Sequence, residues 1–254
     1  MKKTILVRGI NIGEGASKIC VPMVGETISQ LEEEAAFLRT IDFDLVEWRV
    51  DFYQDVEDLE KVKEALHRIR AILTDTPLIF TFRSAKEGGE KEVAEDYYFK
   101  LNKEISGTGL VDIVDVELFS NEQEVNRLIE EAHQNKVFVI VSNHDFNKTP
   151  AKEEIISRLR RAQELGGDLP KIAVMPRNSE DVLTLLAATN EMFEQYADRP
   201  IITMSMAGKG VISRLAGEVF GSALTFGSAK KASAPGQVPV TELRKILKLI
   251  NSAL

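Results

Sequence analysis

The stretch LVDIVDVELFSNEQEVNRLIEEAHQNKVFVIVSN, residues 110–143, decides the fold class. It begins with a valine-rich apolar run, continues with a helical pattern over 120–134 and ends with a second apolar run from residue 136. Neither run alternates cleanly between apolar and polar residues, which is typical of parallel strands covered on both faces. The stretch therefore predicts a β-strand, a helix that crosses over, and a second strand parallel to the first.

The same strand–helix unit recurs along the chain. Eight apolar, β-branched runs predict strands near residues 19–24, 43–50, 78–83, 110–118, 136–143, 170–175, 200–206 and 223–228. Helical patterns follow them over residues 27–40, 55–73, 90–106, 120–134, 151–166, 178–197, 210–220 and 239–253. Eight regular units without a dinucleotide-binding glycine fingerprint favour a closed (β/α)8 TIM barrel of the α/β class. The alternative is a doubly wound open sheet.

The first 18 residues precede the first barrel strand. The run TILVRGI at 4–10, followed by Asn11 and Gly13, predicts a short β-hairpin that plugs the N-terminal end of the barrel. No linker or low-complexity tract interrupts the rest of the chain. We therefore expect residues 1–254 to form a single barrel domain, with residues 1–18 as a hairpin extension.

Composition and charge exclude several classes of protein. Hydrophobic residues make up 44% and charged residues 28%, which is ordinary for a globular chain with a large core. The net charge of −8 argues against a general nucleic-acid binder, which needs a basic face. The single cysteine, Cys20, excludes an internal disulfide and a zinc site built on several thiolates. No apolar run has the length of a membrane span or a signal peptide, so we expect a cytoplasmic protein without membrane contact.

Charged side chains gather where the predicted strands end, which is the end of a (β/α)8 barrel that carries the active site. In strand order these are Glu47, Arg49 and Asp51; Arg83; Asp115 and Glu117; and His144. Alternation along the second strand directs Glu47, Arg49 and Asp51 to one side, into the barrel. Each charge alone could belong to a salt bridge that ties the barrel layers together. Convergence from four strands favours a site, because a buried charge without a partner is costly.

His144 is the histidine best placed for acid–base chemistry. It follows a buried strand and precedes a loop, whereas His67 and His133 lie in helical patterns among charged residues, where a solvated face is the better interpretation. Three dispersed histidines cannot form a trihistidine metal site, and the carboxylates show no specific ligand spacing. We therefore expect neither a metal ion nor another cofactor.

Lys171 is unusual because it lies near the start of the predicted strand 170–175, away from the end that carries most barrel catalysts. One interpretation is a lysine that caps the barrel bottom in solvent. The other starts from alternation, which puts Lys171, Ala173 and Met175 on one face and leaves a column above the small Ala173 for the lysine stem. A lysine desolvated there, with arginines nearby, would have a lowered pKa and could attack a carbonyl carbon.

Two loops in the last quarter of the chain are candidates for substrate binding. The first, SMAGKG at 205–210, lacks the third glycine of a dinucleotide-binding loop, and no phosphate-binding P-loop occurs in the chain. Loops after the seventh and eighth barrel strands often bind anions, so we expect an anion site there, with a flexible surface loop as the alternative. The second, the serine-rich segment 228–237, predicts a lid.

Six sequence blocks resemble type I 3-dehydroquinate dehydratases, the Schiff-base-forming dehydroquinases of the shikimate pathway. They are EWRVD (47–51), TFRSAKEGGE (81–90), SNHDF (142–146), PKIAVMP (170–176), SMAGKGVISRLAGEVFGS (205–222) and SAPGQ (233–237). These blocks span nearly the whole chain in the family's order. The resemblance implies an eight-fold α/β barrel, in agreement with the strand count, and loss of water from 3-dehydroquinate to give 3-dehydroshikimate. It also implies a homodimer.

The resemblance implies roles for three catalytic residues. Lys171 would form an iminium with the C3 ketone of 3-dehydroquinate, which acidifies the neighbouring C2 protons. His144 would be the general base at C2 and the acid for the departing C1 hydroxyl, giving syn elimination, and would assist formation and hydrolysis of the Schiff base. Glu87 would pair with His144 and hold its orientation and protonation state.

Six further residues match the family's substrate-binding positions: Glu47, Arg49, Arg83, Arg214, Ser233 and Gln237. Arg214 would hold the substrate carboxylate, with Ser233 and Gln237 on the closing loop, and the other three would bind the ring hydroxyls. Bidentate arginine contacts would let a chain of negative net charge hold an anion. The chain departs from some relatives at Pro22, where they have a serine, so a first-strand side-chain contact to substrate is not expected here.

Two alternatives remain at the level of sequence. A class I aldolase also uses lysine imine chemistry on this fold, but it breaks a carbon–carbon bond and commonly takes a phosphate-bearing substrate. A catalytically inactive barrel that serves as a scaffold would be marked by loss of Lys171 or His144, and the chain has both.

Overall fold

The computed structural model describes residues 2–229 and 233–254, so the predicted lid, residues 228–237, lies partly outside the described residues. A hairpin of β1 (Ile5–Val7) and β2 (Ile10–Ile12) comes first, as predicted. Eight strands follow: β3 (Lys18–Met23), β4 (Leu45–Arg49), β5 (Leu78–Thr81), β6 (Ile113–Glu117), β7 (Phe138–Asp145), β8 (Leu169–Val174), β9 (Ile202–Ser205) and β10 (Leu224–Ser228). The apolar runs of the sequence therefore form the expected strands.

The strands close into a ring. From β3 to β9 each strand pairs in parallel with the next, and β10 pairs in parallel with β3. A parallel bridge between Ile201 and Ser222 joins the chain at the starts of β9 and β10. The two-residue strand β11 (Val238–Pro239) adds to β10 outside the ring. The predicted (β/α)8 barrel is confirmed.

Helices connect the strands and cover the outside of the barrel. They are α1 (Ile28–Leu38), α2 (Leu59–Ile72), α3 (Glu95–Ser106), α4 (Glu122–Gln134), α5 (Lys152–Glu164), α6 (Ser179–Glu191), α7 (Val211–Leu215) and α8 (Val240–Asn251). Asp58 and Asn121 set the starts of α2 and α4, because their side chains accept hydrogen bonds from first-turn N–H groups. None of the helices in the described ranges is long and apolar enough to cross a membrane.

The predicted helix 210–220 is wrong in its extent. Only α7 is α-helical there, and it lies between two single 3₁₀ turns, Gly208–Gly210 and Gly217–Phe220. The backbone leaves helical geometry at Ala216, with φ −114° and ψ 10°, and turns at Gly221, whose φ of +97° is in the left-handed region that favours glycine. The short helix aims its last turn, which carries Arg214, at the barrel mouth.

Strand alternation divides the barrel interior into layers. The bottom layer is apolar and consists of Leu45, Ile79, Ile113, Ile140, Leu169, Ile202 and Leu224. Ile5, Val7 and Ile12 of the hairpin pack on the same cluster, so the hairpin plugs the N-terminal end of the barrel as expected. Two residues further along the strands the layer is polar, with Glu47, Thr81, Asp115, Ser142 and Lys171 all buried. This polar layer forms the floor of the candidate site.

Candidate active site

A cleft of about 500 Å³, its open mouth included, lies at the C-terminal ends of the strands. All nine residues predicted for the site line it: Glu47, Arg49, Arg83, Glu87, His144, Lys171, Arg214, Ser233 and Gln237. Strand alternation predicts five of them, because residues two or four positions beyond the bottom layer point into the barrel: Glu47, Arg49, Arg83, His144 and Lys171. Apolar residues also line the cleft, among them Phe146, Met204, Met206 and Phe226, and these look like core residues in the sequence.

Lys171 belongs to the polar layer and not to the barrel bottom. Its side chain is only 4% exposed, and Ala173, one layer above, leaves the column that the sequence predicts. The Nζ atom lies 3.2 Å from Asp115 Oδ2, 3.6 Å from Glu47 Oε1 and 4.7 Å from the centroid of the Phe226 ring. The charged groups in contact with the amine are therefore two carboxylates, and the expected nearby arginine is Arg83, which pairs with the other oxygen of Asp115.

Asp115 anchors the floor beneath Lys171. Its side chain is fully buried and accepts hydrogen bonds from Arg83 Nη2 at 2.8 Å and Ser142 Oγ at 2.6 Å. Burial alone would raise the pKa of this carboxyl, but Arg83 and Lys171 beside it bring the pKa below its usual value. A fixed negative charge therefore lies next to the lysine nitrogen, where it would also face a cationic iminium.

The charges predicted to converge do so as ion pairs. Arg83 Nη1 lies 3.0 Å from Glu117 Oε1 and 3.5 Å from Glu87 Oε2. Arg49 donates to both carboxylate oxygens of Asp51, each at 2.7 Å. The salt-bridge interpretation is therefore correct for these charges. Arg49, Arg83 and Glu87 also line the cleft, whereas Asp51 and Glu117 do not.

His144 and Glu87 form a pair at the edge of the cleft. Glu87 Oε2 accepts the backbone N–H of His144 at 2.9 Å and lies 3.0 Å from Nδ1. Glu87 ends a single 3₁₀ turn followed by Gly88, whose φ is +83° and where any Cβ would overlap the Phe146 ring. The glycine therefore lets the turn bring the carboxylate against the histidine.

Burial shifts both titrations of this pair. It raises the pKa of Glu87 to about 7, although the nearby Arg83 opposes the shift. Burial, followed by the positive charges of Arg83, Lys171 and Arg49, lowers the pKa of His144 well below its usual value. The imidazole is therefore neutral near pH 7 and able to accept a proton.

Arg214 is a buried cation without a carboxylate partner among the described residues. It is 1% exposed, and its contacts are Met204 Sδ at 3.6 Å and the Pro235 carbonyl oxygen at 3.3 Å. Its Nε atom has no hydrogen-bond partner within the part of the chain that the structure describes, and burial lowers the pKa of its guanidinium to about 10. Because an uncompensated buried charge is costly, Arg214 is a candidate for binding an anion from outside.

The described part of the predicted lid folds against the loop after β9. The Ser233 N–H and Gln237 Oε1 form a hydrogen bond of 3.0 Å, and Gln237 Nε2 donates to Ser233 Oγ at 3.1 Å. The Ala207 N–H donates to the Pro235 carbonyl oxygen at 3.1 Å. Gly236 has a φ of +78°, and a Cβ there would overlap the Ala207 backbone. The loop thus brings both predicted polar residues over Arg214.

The two other histidines lie outside the site. His67 and His133 are exposed, and His133 Nε2 lies 2.8 Å from Asp168 Oδ2 on the surface. Within residues 2–229 and 233–254, no group of three or more His, Cys, Asp or Glu side chains is arranged to hold a metal ion. The cleft brings together a buried lysine, a histidine paired with a glutamate, and a buried arginine.

Fold and site together define a class of protein: a (β/α)8 barrel whose C-terminal cleft combines a buried lysine, a histidine–glutamate pair and a buried arginine. The family model for type I 3-dehydroquinase matches residues 19–253 of the chain. The chain is 64% identical to a 3-dehydroquinate dehydratase of Bacillus licheniformis, with all of both chains covered. It is 66% identical to one of Listeria monocytogenes, with 97% of this chain and 98% of that protein covered.

Solved structures agree. The crystal structure of type I 3-dehydroquinate dehydratase from Clostridium difficile has a TM-score of 0.98 and 59% identity, over all of both chains. The chain belongs to the type I 3-dehydroquinase family. These enzymes are hydro-lyases of the shikimate pathway that convert 3-dehydroquinate to 3-dehydroshikimate through a Schiff base. The class I aldolase alternative is set aside by these findings.

Proposed function

We propose that Lys171, His144 and Glu87 carry out the dehydration, with Arg214 holding the substrate carboxylate. The observation that supports this most strongly is the register of two neighbouring strands. Ser142 on β7 lies opposite Lys171 on β8, and His144 lies opposite Ala173. The imidazole is therefore one layer above the amine, so a ring carbon next to an imine at Nζ would meet the histidine.

The reaction begins at the lysine nitrogen. The amine passes a proton to His144 and attacks the C3 ketone carbon to give a carbinolamine. The former ketone oxygen then takes one proton from the nitrogen and one back from His144 and leaves as water, which gives an iminium. Asp115 and Glu47 supply negative charge beside this cationic nitrogen. The iminium withdraws electrons from the C2–H bond, which makes removal of a C2 proton feasible at neutral pH.

His144 then moves the proton. It takes a C2 proton to give an enamine, whose electrons expel the C1 hydroxyl as His144 returns the proton to that oxygen. One water leaves, and the conjugated iminium remains on Lys171. A second water hydrolyses this iminium, releases 3-dehydroshikimate and restores the amine. Glu87 holds the imidazole in place during both transfers.

Substrate binding follows from the charges around the cleft. The substrate carboxylate is bound by Arg214 and by the loop residues Ser233 and Gln237. The reason is that Arg214 is a buried cation that pairs with no carboxylate among the described residues. The remaining three, Glu47, Arg49 and Arg83, bind ring hydroxyls from the opposite side. Covalently modified comenic acid is present in the Clostridium difficile structure, which supports a reactive nucleophile in this family.

The test is a direct assay of purified protein with 3-dehydroquinate, following the ultraviolet absorbance of the conjugated product. We expect turnover by the unmodified chain and none by Lys171→Ala, while Lys209→Ala, which changes a surface lysine of the loop after β9, keeps it. Turnover by Lys171→Ala would contradict the proposal.

We also propose that the protein works as a homodimer in the cytoplasm, without a nucleic-acid partner. The resemblance to dimeric family members and the net charge of −8 support these assignments. Light scattering during gel filtration at micromolar concentration tests the first, and a mass of a single chain, 28.3 kDa, would contradict it.

A further inference from the structure

Asn143 connects the outer helix layer to the acid–base pair. It precedes His144 on β7, points away from the barrel interior by alternation, and is 5% exposed. Its Oδ1 accepts a hydrogen bond from Arg158 Nη1 of α5 at 2.9 Å, and its Nδ2 donates to Glu87 Oε1 at 3.0 Å. Neither Asn143 nor Arg158 lines the cleft. The two side chains therefore reach Glu87 from behind the strand.

The direction of the Asn143 amide follows from chemistry. A guanidinium can only donate hydrogen bonds, so the amide oxygen must face Arg158 and the NH₂ group must face Glu87. Arg158 is itself held, because its Nε donates to Glu154 Oε1 at 2.9 Å and its Nη1 lies 3.5 Å from Asp145 Oδ2. A fixed arginine thus fixes which end of the amide meets the carboxylate.

Glu87 consequently faces N–H donors at both oxygens. Asn143 Nδ2 donates a hydrogen bond to Oε1. The backbone N–H of His144 donates to Oε2, which also lies within hydrogen-bond distance of His144 Nδ1. A proton on either oxygen would have to face one of these donors. When Glu87 acts only as an acceptor, the single ring proton of neutral His144 lies on Nδ1 and the lone pair of Nε2 is free for the cleft.

We infer that Asn143, oriented by Arg158, is a positioning residue that keeps Glu87 a hydrogen-bond acceptor and thereby sets the tautomer of His144. The inference rests on the proposed roles of Glu87 and His144. It matters near neutral pH, because burial raises the pKa of Glu87 to about 7 and a missing donor would leave the carboxyl protonated there.

Asn143→Asp replaces the NH₂ donor that faces Glu87 with an acceptor oxygen and retains the shape of the side chain. The new carboxylate still pairs with Arg158 but presents an acceptor to Glu87, so the two carboxyls must share a proton. We expect the acidic limb of the kcat–pH profile to move up by at least about one pH unit, with kcat at pH 7 reduced roughly tenfold. Activity should recover as the pH is raised and the shared proton is lost.

The other charged groups around the pair stay unchanged in this variant. Arg83 and Glu117 face Glu87 from the ends of β5 and β6, and Arg83, Lys171 and Arg49 face His144. A shift of the limb therefore reports the change at residue 143, which is the lost donor together with the added carboxylate charge.

A second substitution restores the lost complementarity. In Asn143→Asp with Glu87→Gln, the glutamine NH₂ can donate to the new carboxylate while its oxygen accepts from His144. We expect this double variant to be at least as active at pH 7 as Glu87→Gln alone. Additive losses in the double variant would contradict the inference.

The tautomer can be measured directly. Nitrogen-15 NMR of the histidine ring should show Nδ1 protonated in the unmodified protein and a shift toward protonated Nε2 in Asn143→Asp and in Arg158→Met, which frees the amide to turn. Arg160→Met, on the same helix and paired to Glu164 at 4.0 Å on the surface, is the control and should change neither readout. This measurement does not depend on catalysis.

Two results would overturn the inference: an unchanged His144 nitrogen spectrum in both variants, or a kcat reduced by one factor at every pH. If Asn143→Asp fails to fold, Arg158→Met decides by the same readouts, because Arg158 is on a surface helix. Retention of near-normal kcat by His144→Ala would instead contradict the proposed function, while the tautomer result would stand by itself.

Discussion

At the scale of single residues, most buried charges of the site are paired with opposite charges, and Arg214 differs from them. Lys171, Asp115 and Arg83 compensate one another in the floor of the barrel, whereas Arg214 has no carboxylate partner among the described residues. Alternation of the sequence predicts which side chains point inward, so the floor could be predicted. The missing partner of Arg214 could not, because it depends on what α7 and the loop from Ser233 fail to place beside it.

Removing His144 tests the proton-transfer step. His144→Ala should lower kcat by roughly 10²–10⁴-fold, the range for loss of a general acid–base group. Glu87→Gln should lower kcat less than His144→Ala does, because the amide oxygen of glutamine can still accept a hydrogen bond from the imidazole. Steady-state kinetics by product absorbance measures both, and near-normal kcat in His144→Ala would remove the residue from the mechanism.

The pH profile should have an acidic limb near neutral pH. Burial raises the pKa of Glu87 to about 7 and lowers that of His144, so the limb belongs to the coupled pair rather than to the histidine alone. Protonation of the pair removes the base, so kcat falls as the pH drops through about 7. A flat profile between pH 5 and 8 would contradict this, since neither group would then control the rate.

Arg214→Met separates binding from stability. The variant loses a charge-assisted contact, so KM should rise by roughly 10- to 100-fold. The melting temperature should stay the same or rise, because the substitution also removes an uncompensated buried charge. Differential scanning calorimetry and kinetics on one preparation measure both. A marked fall in melting temperature at unchanged KM would show that the arginine is structural.

At the scale of elements, short turns place residues in positions that the sequence patterns do not predict. The apolar periodicity over 210–220 predicts one helix, yet α7 ends at Leu215, because the backbone leaves helical geometry at Ala216 and continues as a 3₁₀ turn up to Phe220. Asn143 was missed for a related reason. In the sequence, an outward-facing polar residue at a strand end looks like an exposed residue. The contact between Asn143 and Glu87 forms because the turn after β5 packs against β7.

The loop from Ser228 to Gln237 should exchange amide hydrogens more slowly when product is bound. Ser233 and Gln237 line the cleft, so a ligand carboxylate should add contacts to both. Hydrogen exchange followed by mass spectrometry measures the change. Gly236→Ala is the control, because its side chain would overlap the Ala207 backbone and weaken the slowing. Equal exchange with and without saturating product would show that the loop is no lid.

At the scale of the whole molecule, the N-terminal end of the barrel is apolar and closed, and the C-terminal end carries the candidate site. The apolar bottom layer and the hairpin close the N-terminal end, and the polar layers rise above them. Eight strand–helix units could be predicted because each element has its own hydrophobic period. Ring closure between β9 and β10 involves the bridge between Ile201 and Ser222 and a hydrogen bond from the Thr203 N–H to Ser222 Oγ, for which the sequence gives no local signal.

This division predicts that a substitution in the hairpin plug affects stability alone. Ile12 is fully buried in the plug, so Ile12→Ala should lower the free energy of unfolding by about 2–5 kcal/mol. The kcat of the folded enzyme should stay within about twofold, since the site lies two layers above. Urea denaturation and kinetics at low temperature test this, and a large loss of kcat at unchanged stability would contradict it.

The central claim is that Lys171 forms the imine, and borohydride trapping tests it most directly. Reduction in the presence of 3-dehydroquinate should fix one ligand, less its ketone oxygen, to the chain and abolish activity irreversibly. Peptide mapping should locate the adduct on Lys171, within the sequence PKI, and Lys171→Ala should not be trapped although it still binds product through Arg214. An adduct on Lys209, Lys230 or Lys231, or turnover without any trapped adduct, would contradict the account.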